Sequence, residues 1–251
     1  MPIARIVLVH GIRTSATMWR ARVRALGRLG VAAEAIDLPG HGAREGEAFT
    51  VDAAVDVIRG ALDEAHAAGD APVLLAGLSL GGYLSIETAG RHPELVDGLV
   101  AAGSGALPRG AGLAGYLAIA RLIHRLPDRG RALNDAMARA FLPPEAVRDL
   151  LDGGIALDVM EPALLALART DPRAALADYP GPVWFVNGGL DHFRLDERRL
   201  LEAARDARLV VVPGATHLVS LVDPESFDAA VLGAVAEVQR RRALAPRRAT
   251  W

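Results

Sequence analysis

One serine in this chain stands between glycines placed two residues before and two residues after it, in Gly77-Leu78-Ser79-Leu80-Gly81-Gly82. The motif follows the apolar run Val73-Leu74-Leu75-Ala76 and precedes a run with helical spacing. A serine on so sharp a strand-to-helix turn projects its hydroxyl above the carboxyl edge of a sheet, beside a helix N-terminus that favours developing negative charge. A hydroxyl at neutral pH needs a base to become a nucleophile, and imidazole is the usual one. Of seven histidines, His217 lies in Pro213-Gly214-Ala215-Thr216-His217, just after the strand-like run Leu209–Val212. The base in turn needs an acid to fix its tautomer. Asp191, in Asn187-Gly188-Gly189-Leu190-Asp191 after the run Val183–Val186, is placed for it, with Asp196 as the fallback. The oxyanion of an acyl-transfer intermediate must be met by N–H groups. Leu80, directly after the nucleophile, offers one, and Ile12, in His10-Gly11-Ile12 at the end of the first apolar run, offers the other. His10 is expected to shape that loop through hydrogen bonds. Arg13 beside it, and Arg121 and Arg125 further along, are candidates for holding a substrate carboxylate.

These residues need a scaffold that brings loop ends together. Ile3–Val9, Val31–Ile36, Pro72–Ala76, Leu95–Ala102, Val183–Val186 and Leu209–Val212 read as strands. Helices are predicted over Trp19–Leu29, Thr50–Ala68 with Thr50 as N-cap, the run after Gly82 to Gly90, Leu195–Ala204 and Phe227–Arg242. Strands alternating with helices imply βαβ units, a mainly parallel sheet of about six strands, and helices on both faces. From about Ala106 to Asp178 no strand is evident. Helical runs at Leu113–Leu126, Arg129–Phe141, Pro144–Leu151 and Glu161–Leu167 are separated by Pro127, Pro143-Pro144, Gly153-Gly154 and Pro162. More than seventy residues exceed what one crossover needs. The expected organisation is a core formed by 1–105 and 179–251 with a helical cap at 106–178. Apolar residues of that cap, among them Leu113, Leu117, Ile119, Leu122, Leu126, Leu164 and Leu165, fit either an acyl group or the sheet beneath.

Composition narrows the function classes. The 251 residues carry 51% hydrophobic and 23% charged residues, with a formal net charge of -2, so no global field favours nucleic acid or an anionic membrane surface. All 28 basic residues are Arg, a bias of codon usage rather than of partner. There is no cysteine, which excludes disulfides, thiolate nucleophiles and Cys-ligated zinc. No run is long enough for a signal sequence or a membrane span, so a soluble cytoplasmic protein is expected, without metal or cofactor. Oligomeric state is unreadable. The basic tail Arg240-Arg241-Arg242 with Arg247-Arg248 is read as complementing a helix C-terminus.

Taken together, His10-Gly11, Asp37-Leu38-Pro39-Gly40-His41-Gly42, the Ser79 motif, Gly188-Gly189-Leu190-Asp191 and Gly214-Ala215-Thr216-His217 resemble the α/β-hydrolase superfamily in content and in order. The resemblance implies an α/β-hydrolase fold and an acyl-enzyme on Ser79, formed and released by His217 with Asp191 behind it, on a small-molecule ester or thioester. It also implies backbone roles for Ile12 and Leu80. Many members start with an antiparallel hairpin, whereas this sequence opens on the strand at Ile3. Two other functions stay open: a carbon–carbon-cleaving or lyase/synthase-type relative acting on an anionic substrate, and a binder that has lost catalysis. Hydroxynitrile-lyase-like proteins usually carry a hydroxyl residue and a lysine at the site. Here Gly11 stands in the loop and no lysine occurs.

Overall fold

The computed structural model describes residues 1–244; Arg247-Arg248 lie outside the described residues. In chain order the elements are β1 (Ala4–Val9), α1 (Arg20–Arg28), β2 (Val31–Ile36), α2 (Val51–Ala67), β3 (Val73–Leu78), α3 (Leu80–Arg91), β4 (Gly98–Ala102) and α4 (Gly110–His124). There follow α5 (Arg131–Phe141), α6 (Pro144–Asp152), α7 (Met160–Leu167), α8 (Pro172–Asp178), β5 (Val183–Gly188), α9 (Glu197–Ala203), β6 (Ala207–Val212), α10 (Val219–Val222) and α11 (Pro224–Leu244).

All six strands pair in parallel, in the order β2-β1-β3-β4-β5-β6. A sheet covered on both faces buries both side-chain sets of its inner strands, so these read as continuous apolar runs. β3 and β5 are buried at every residue, whereas the edge strand β6 is buried only at Val212. The alternation of side chains divides β1 between two cores. Ile6 and Leu8 join Trp19, Phe227 and Val231 on one face. Val7 and Val9 join Ile58, Leu62, Leu84 and Phe185 on the other. Thr50 caps α2 by accepting from the Ala53 N–H at 3.0 Å, which satisfies one of the donors a helix start leaves open.

The chain leaves β1 toward β2, then crosses back to β3 on the other side of β1. A crevice therefore opens beyond the carboxyl ends of β1 and β3, where Val9 lies beside Gly77. Open parallel sheets place their sites at such a reversal.

The structure adjusts several predicted boundaries. β3 runs on to Leu78, and β4 starts at Gly98 because Pro93–Leu95 forms a 3₁₀ turn. Between β4 and β5 lie five helices rather than four. The extra one, α8, starts at the cap Asp171, whose carboxylate accepts from the N–H groups of Arg173 and Ala174, with Pro172 at the first helical position. It packs along α3, where Gly90 meets Ala175. α5 and α6 contribute Ala138, Val147 and Leu150 to the core cluster that also holds Met18 and Trp19, while α4 packs against α7. Among the described residues no helix is long and apolar enough to cross a membrane.

Candidate active site

Ser79 joins β3 to α3 with φ 56° and ψ -117°, a region that costs a non-glycine residue of order 1–3 kcal/mol. The turn is held from both sides. The Ser79 N–H donates to Ala102 O of β4 at 2.8 Å, and Ser79 O accepts from the Tyr83 N–H at 3.1 Å. The flanking glycines are steric necessities. A Cβ on Gly77 would fall 2.2 Å from Gly81 O, and one on Gly81 would fall 2.3 Å from Val9 O. The backbone of the turn thus nests directly on the end of β1.

Three loops meet at this point. His217 Nε2 lies 2.8 Å from Ser79 Oγ, and His217 Nδ1 lies 3.1 Å from each carboxylate oxygen of Asp191. An ionised carboxylate only accepts, so Nδ1 carries the proton and Nε2 is free to accept from the serine hydroxyl. Burial pushes the Asp191 carboxyl up, but the hydrogen bond and charge of His217, with the Phe193 N–H donated at 2.9 Å, outweigh it and hold the group below its ordinary value. Asp191 is therefore a buried anion behind a partly buried imidazole. Such a line of groups can take a proton from an attacking hydroxyl and return it to a leaving group.

Ile12 and Leu80 line the same cavity as Ser79. Leu80 is the first residue of α3, so its N–H has no acceptor within the helix. Gly11 brings the Ile12 loop against Ser79: a Cβ there would lie 3.7 Å from Ser79 Cβ. Two buried histidines fix this loop. His10 Nδ1 donates to Gly11 O at 2.8 Å, and its Nε2 accepts from the Leu38 N–H at 3.1 Å. Burial, helped by the nearness of a second ring that competes for the proton at His41, lowers the His10 pKa to about 3. His41 Nδ1 donates to Pro39 O at 3.0 Å and Nε2 accepts from the Arg13 N–H at 3.3 Å; burial lowers its pKa too. Both rings are neutral struts between the loops after β1 and β2.

The cavity above Ser79 has a volume of about 460 Å³. Leu113, Tyr116 and Ile119 of α4, Leu164 and Leu167 of α7, and Phe193 contribute to its apolar wall. Of the other predicted apolar cap residues, Leu117 is buried between α4 and α7, while Leu122, Leu126 and Leu165 face solvent. Asp196, the fallback acid, accepts from the Leu107 N–H at 3.0 Å and from Arg199 at 2.7 Å. It therefore ties the loop after β4 rather than meeting His217. Arg121 pairs with Glu161, and Arg13 faces a separate, smaller cavity. In the described part of the basic tail, Arg240 and Arg241 pair with Glu237.

Sequence reasoning passed over two positioning groups. Asn187 accepts from the Gly103 N–H at 3.0 Å and donates to Glu197 at 2.7 Å, joining the end of β4 to the start of α9. The Tyr83 hydroxyl donates to Ala106 O at 2.6 Å and accepts from the Ala106 N–H at 3.2 Å. A buried asparagine at the end of a central strand was the available signal for the first. Among the described residues no group of three or more His, Asp or Glu side chains is placed to hold a metal ion.

Comparison with known proteins agrees with the fold. A family model described as the alpha/beta hydrolase family matches residues 6–230, and the chain belongs to that family. It is 31% identical over 248 residues to a pimeloyl-[acyl-carrier protein] methyl ester esterase of Aromatoleum aromaticum, covering 90% of this chain and 95% of that one. It is 30% identical over 249 residues to the dihydrolipoyllysine-residue acetyltransferase component of an acetoin cleaving system of Pseudomonas putida. That match covers 90% of this chain but only 62% of the relative. Among solved structures, a bromoperoxidase from Bacillus anthracis superposes with a TM-score of 0.78 at 18% identity, covering 93% of this chain and 92% of that one.

Proposed function

We propose that this protein is a serine hydrolase that cleaves a carboxylic ester or thioester of a small molecule through an acyl-enzyme on Ser79. The observation that carries the reading is the unbroken hydrogen-bonded line Asp191–His217–Ser79 opening into an apolar cavity. Ser79 Oγ attacks the acyl carbonyl as its proton passes to His217 Nε2, and Asp191 stabilises the imidazolium. The oxyanion is met by the N–H groups of Ile12 and Leu80. Collapse expels the alcohol or thiol, which takes the proton from His217. Water then gives a proton to His217 and attacks the acyl carbon, releasing the acid and restoring the Ser79 hydroxyl.

The esterase relative supports ester cleavage as the reaction type. A cavity of about 460 Å³ falls within the usual range for small-molecule sites, and its apolar wall suits an acyl chain of short to medium length. In this reading residues 106–178 act as a cap, with α4 and α7 as its roof.

The test is hydrolysis of a p-nitrophenyl ester series of increasing acyl length, with Ser79→Ala as the control. Turnover that depends on chain length and disappears in the variant is expected. Covalent labelling of Ser79 by a phosphonate without turnover of any ester would instead favour carbon–carbon cleavage of an anionic substrate. Absence of both would favour a binder.

A further inference from the structure

Behind the roof of the catalytic cavity lies a second cavity of about 110 Å³, bordered by Arg13, Arg121, His124, Arg129, Asp158 and Glu161. The two are separated by the apolar contact of Leu117 and Ala120 on α4 with Leu164 on α7, against which Ile12, Tyr116 and Met160 also pack. Arg13 reaches the second cavity because its backbone, directly after Ile12, takes φ 65°. A left-handed arginine is unusual and is held by its N–H bond to His41.

The charges around this cavity do not cancel. Arg121 gives Nε and Nη2 to Glu161 at 2.9 and 2.6 Å, and Arg129 gives Nη1 to both oxygens of Asp158 at 2.6 and 2.7 Å. His124 Nε2 stands 3.8 Å from the same Asp158. Asp128, whose charge also reaches Arg13, is held by the N–H groups of Gly130 and Ala132 and is balanced by the charge of Arg131, which reaches both it and Arg13. Both acids of the cavity are thus matched to other arginines. Arg13 Nε and Nη2 are buried with no hydrogen-bond partner among the described residues. Two adjacent guanidinium N–H groups form the fork that fits a carboxylate, and one surplus positive charge fits one monoanion. The volume is below that of sites for whole small ligands, so it suits a headgroup rather than an entire ester.

We propose that Arg13 anchors a carboxylate site in this second cavity, taking one monoanionic carboxylate behind the α4–α7 roof. The carboxylate is either carried by the ester as its far end, the chain then passing where α4 parts from α7, or a free carboxylate acting as effector. A ligand there ties together the loop that bears Ile12 and the two helices that cover Ser79. The first source deepens the esterase reading and rests on it; the second does not.

The test uses the full chain with p-nitrophenyl hexanoate and mono-p-nitrophenyl adipate, which differ in the terminal carboxylate. If the substrate carries the carboxylate, Arg13→Gln lowers kcat/KM for the adipate monoester by about tenfold or more through KM, and leaves the hexanoate within about twofold. If the ligand is free, adipate at constant ionic strength raises the melting temperature of the wild type and of Ser79→Ala by about 2 °C or more but not that of Arg13→Gln. Should Arg13→Gln fail to fold, Arg13→Lys, which keeps the charge and loses the fork, shows the same losses in part. Equal handling of both esters together with no adipate-dependent shift overturns the site, as does either effect surviving undiminished in Arg13→Gln. A melting shift lost in Arg13→Gln, with neither ester turned over by the wild type, overturns the esterase reading and leaves the site standing.

Discussion

Helices α3 and α4 both leave the carboxyl end of a central strand and both border the cavity above Ser79, yet they are built in opposite ways. From Leu80 to Ala89, α3 is buried at every residue except Glu87. α4 buries only Leu117 and Ala120, leaves Ile119 and Leu122 exposed, and has open space around Gly112 and Gly115. A helix packed on all sides has no low-energy alternative position, because close-packed interiors do not deform continuously. A helix held by one stripe of small contacts can shift at low cost. The proposed nucleophile is thus mounted on the rigid element, and the wall that would meet an acyl group on the compliant one.

The sharpest way to break that contrast is at the rigid end. Ser79→Ala is expected to lower ester turnover by at least about 10⁴-fold with the fold intact, measured as kcat alongside circular dichroism. Asp191→Asn should cost on the order of 10³–10⁴ in kcat, because the amide favours the wrong histidine tautomer; a loss in KM alone would remove Asp191 from the chemistry. Gly81→Ala should destabilise by about 3 kcal/mol or more in urea titration, since its Cβ meets the backbone of Val9. The loop struts make a pH prediction. His10 is depressed to about 3 when folded, so the unfolded chain takes up the proton first. Stability is full above pH of about 6.5 and falls as pH drops toward 3. Between pH 7.5 and 5 about 2 kcal/mol should disappear, less so in His10→Asn. The smallest effect belongs to the compliant end. Ile119→Ala on α4 should move the preferred acyl length with less than about tenfold change in kcat/KM and less than about 0.5 kcal/mol in stability. A large stability loss there would erase the distinction between the two helices.

The same contrast explains which parts were legible in the sequence. Strand β3 and the Ser79 turn are written in local rules: an apolar run, then small residues where backbones touch. Asp191 and His217 stand in loops that follow apolar runs, and the parallel order of those runs brings the loops to one edge. α8 escaped because seven residues are too few to show a helical period, although Asp171-Pro172 is a start signal. The direction of Arg13 escaped for another reason. Its neighbourhood in sequence is the loop beside Ser79, but its backbone conformation sends the guanidinium elsewhere, and no motif encodes that choice. Asn187 is likewise visible only once the end of β4 and the start of α9 are side by side.

The twisted backbone of Ser79 sets two kinds of fitness against each other. Glycine occupies positive φ without penalty, so a Ser79→Gly chain would hold the same turn with less strain and no nucleophile. Such a chain should melt higher than the parent while doing nothing. Under selection for heat resistance or abundance alone, residue 79 would drift toward the smaller side chain, and on the proposed reading it is demand for a nucleophile that keeps the hydroxyl there.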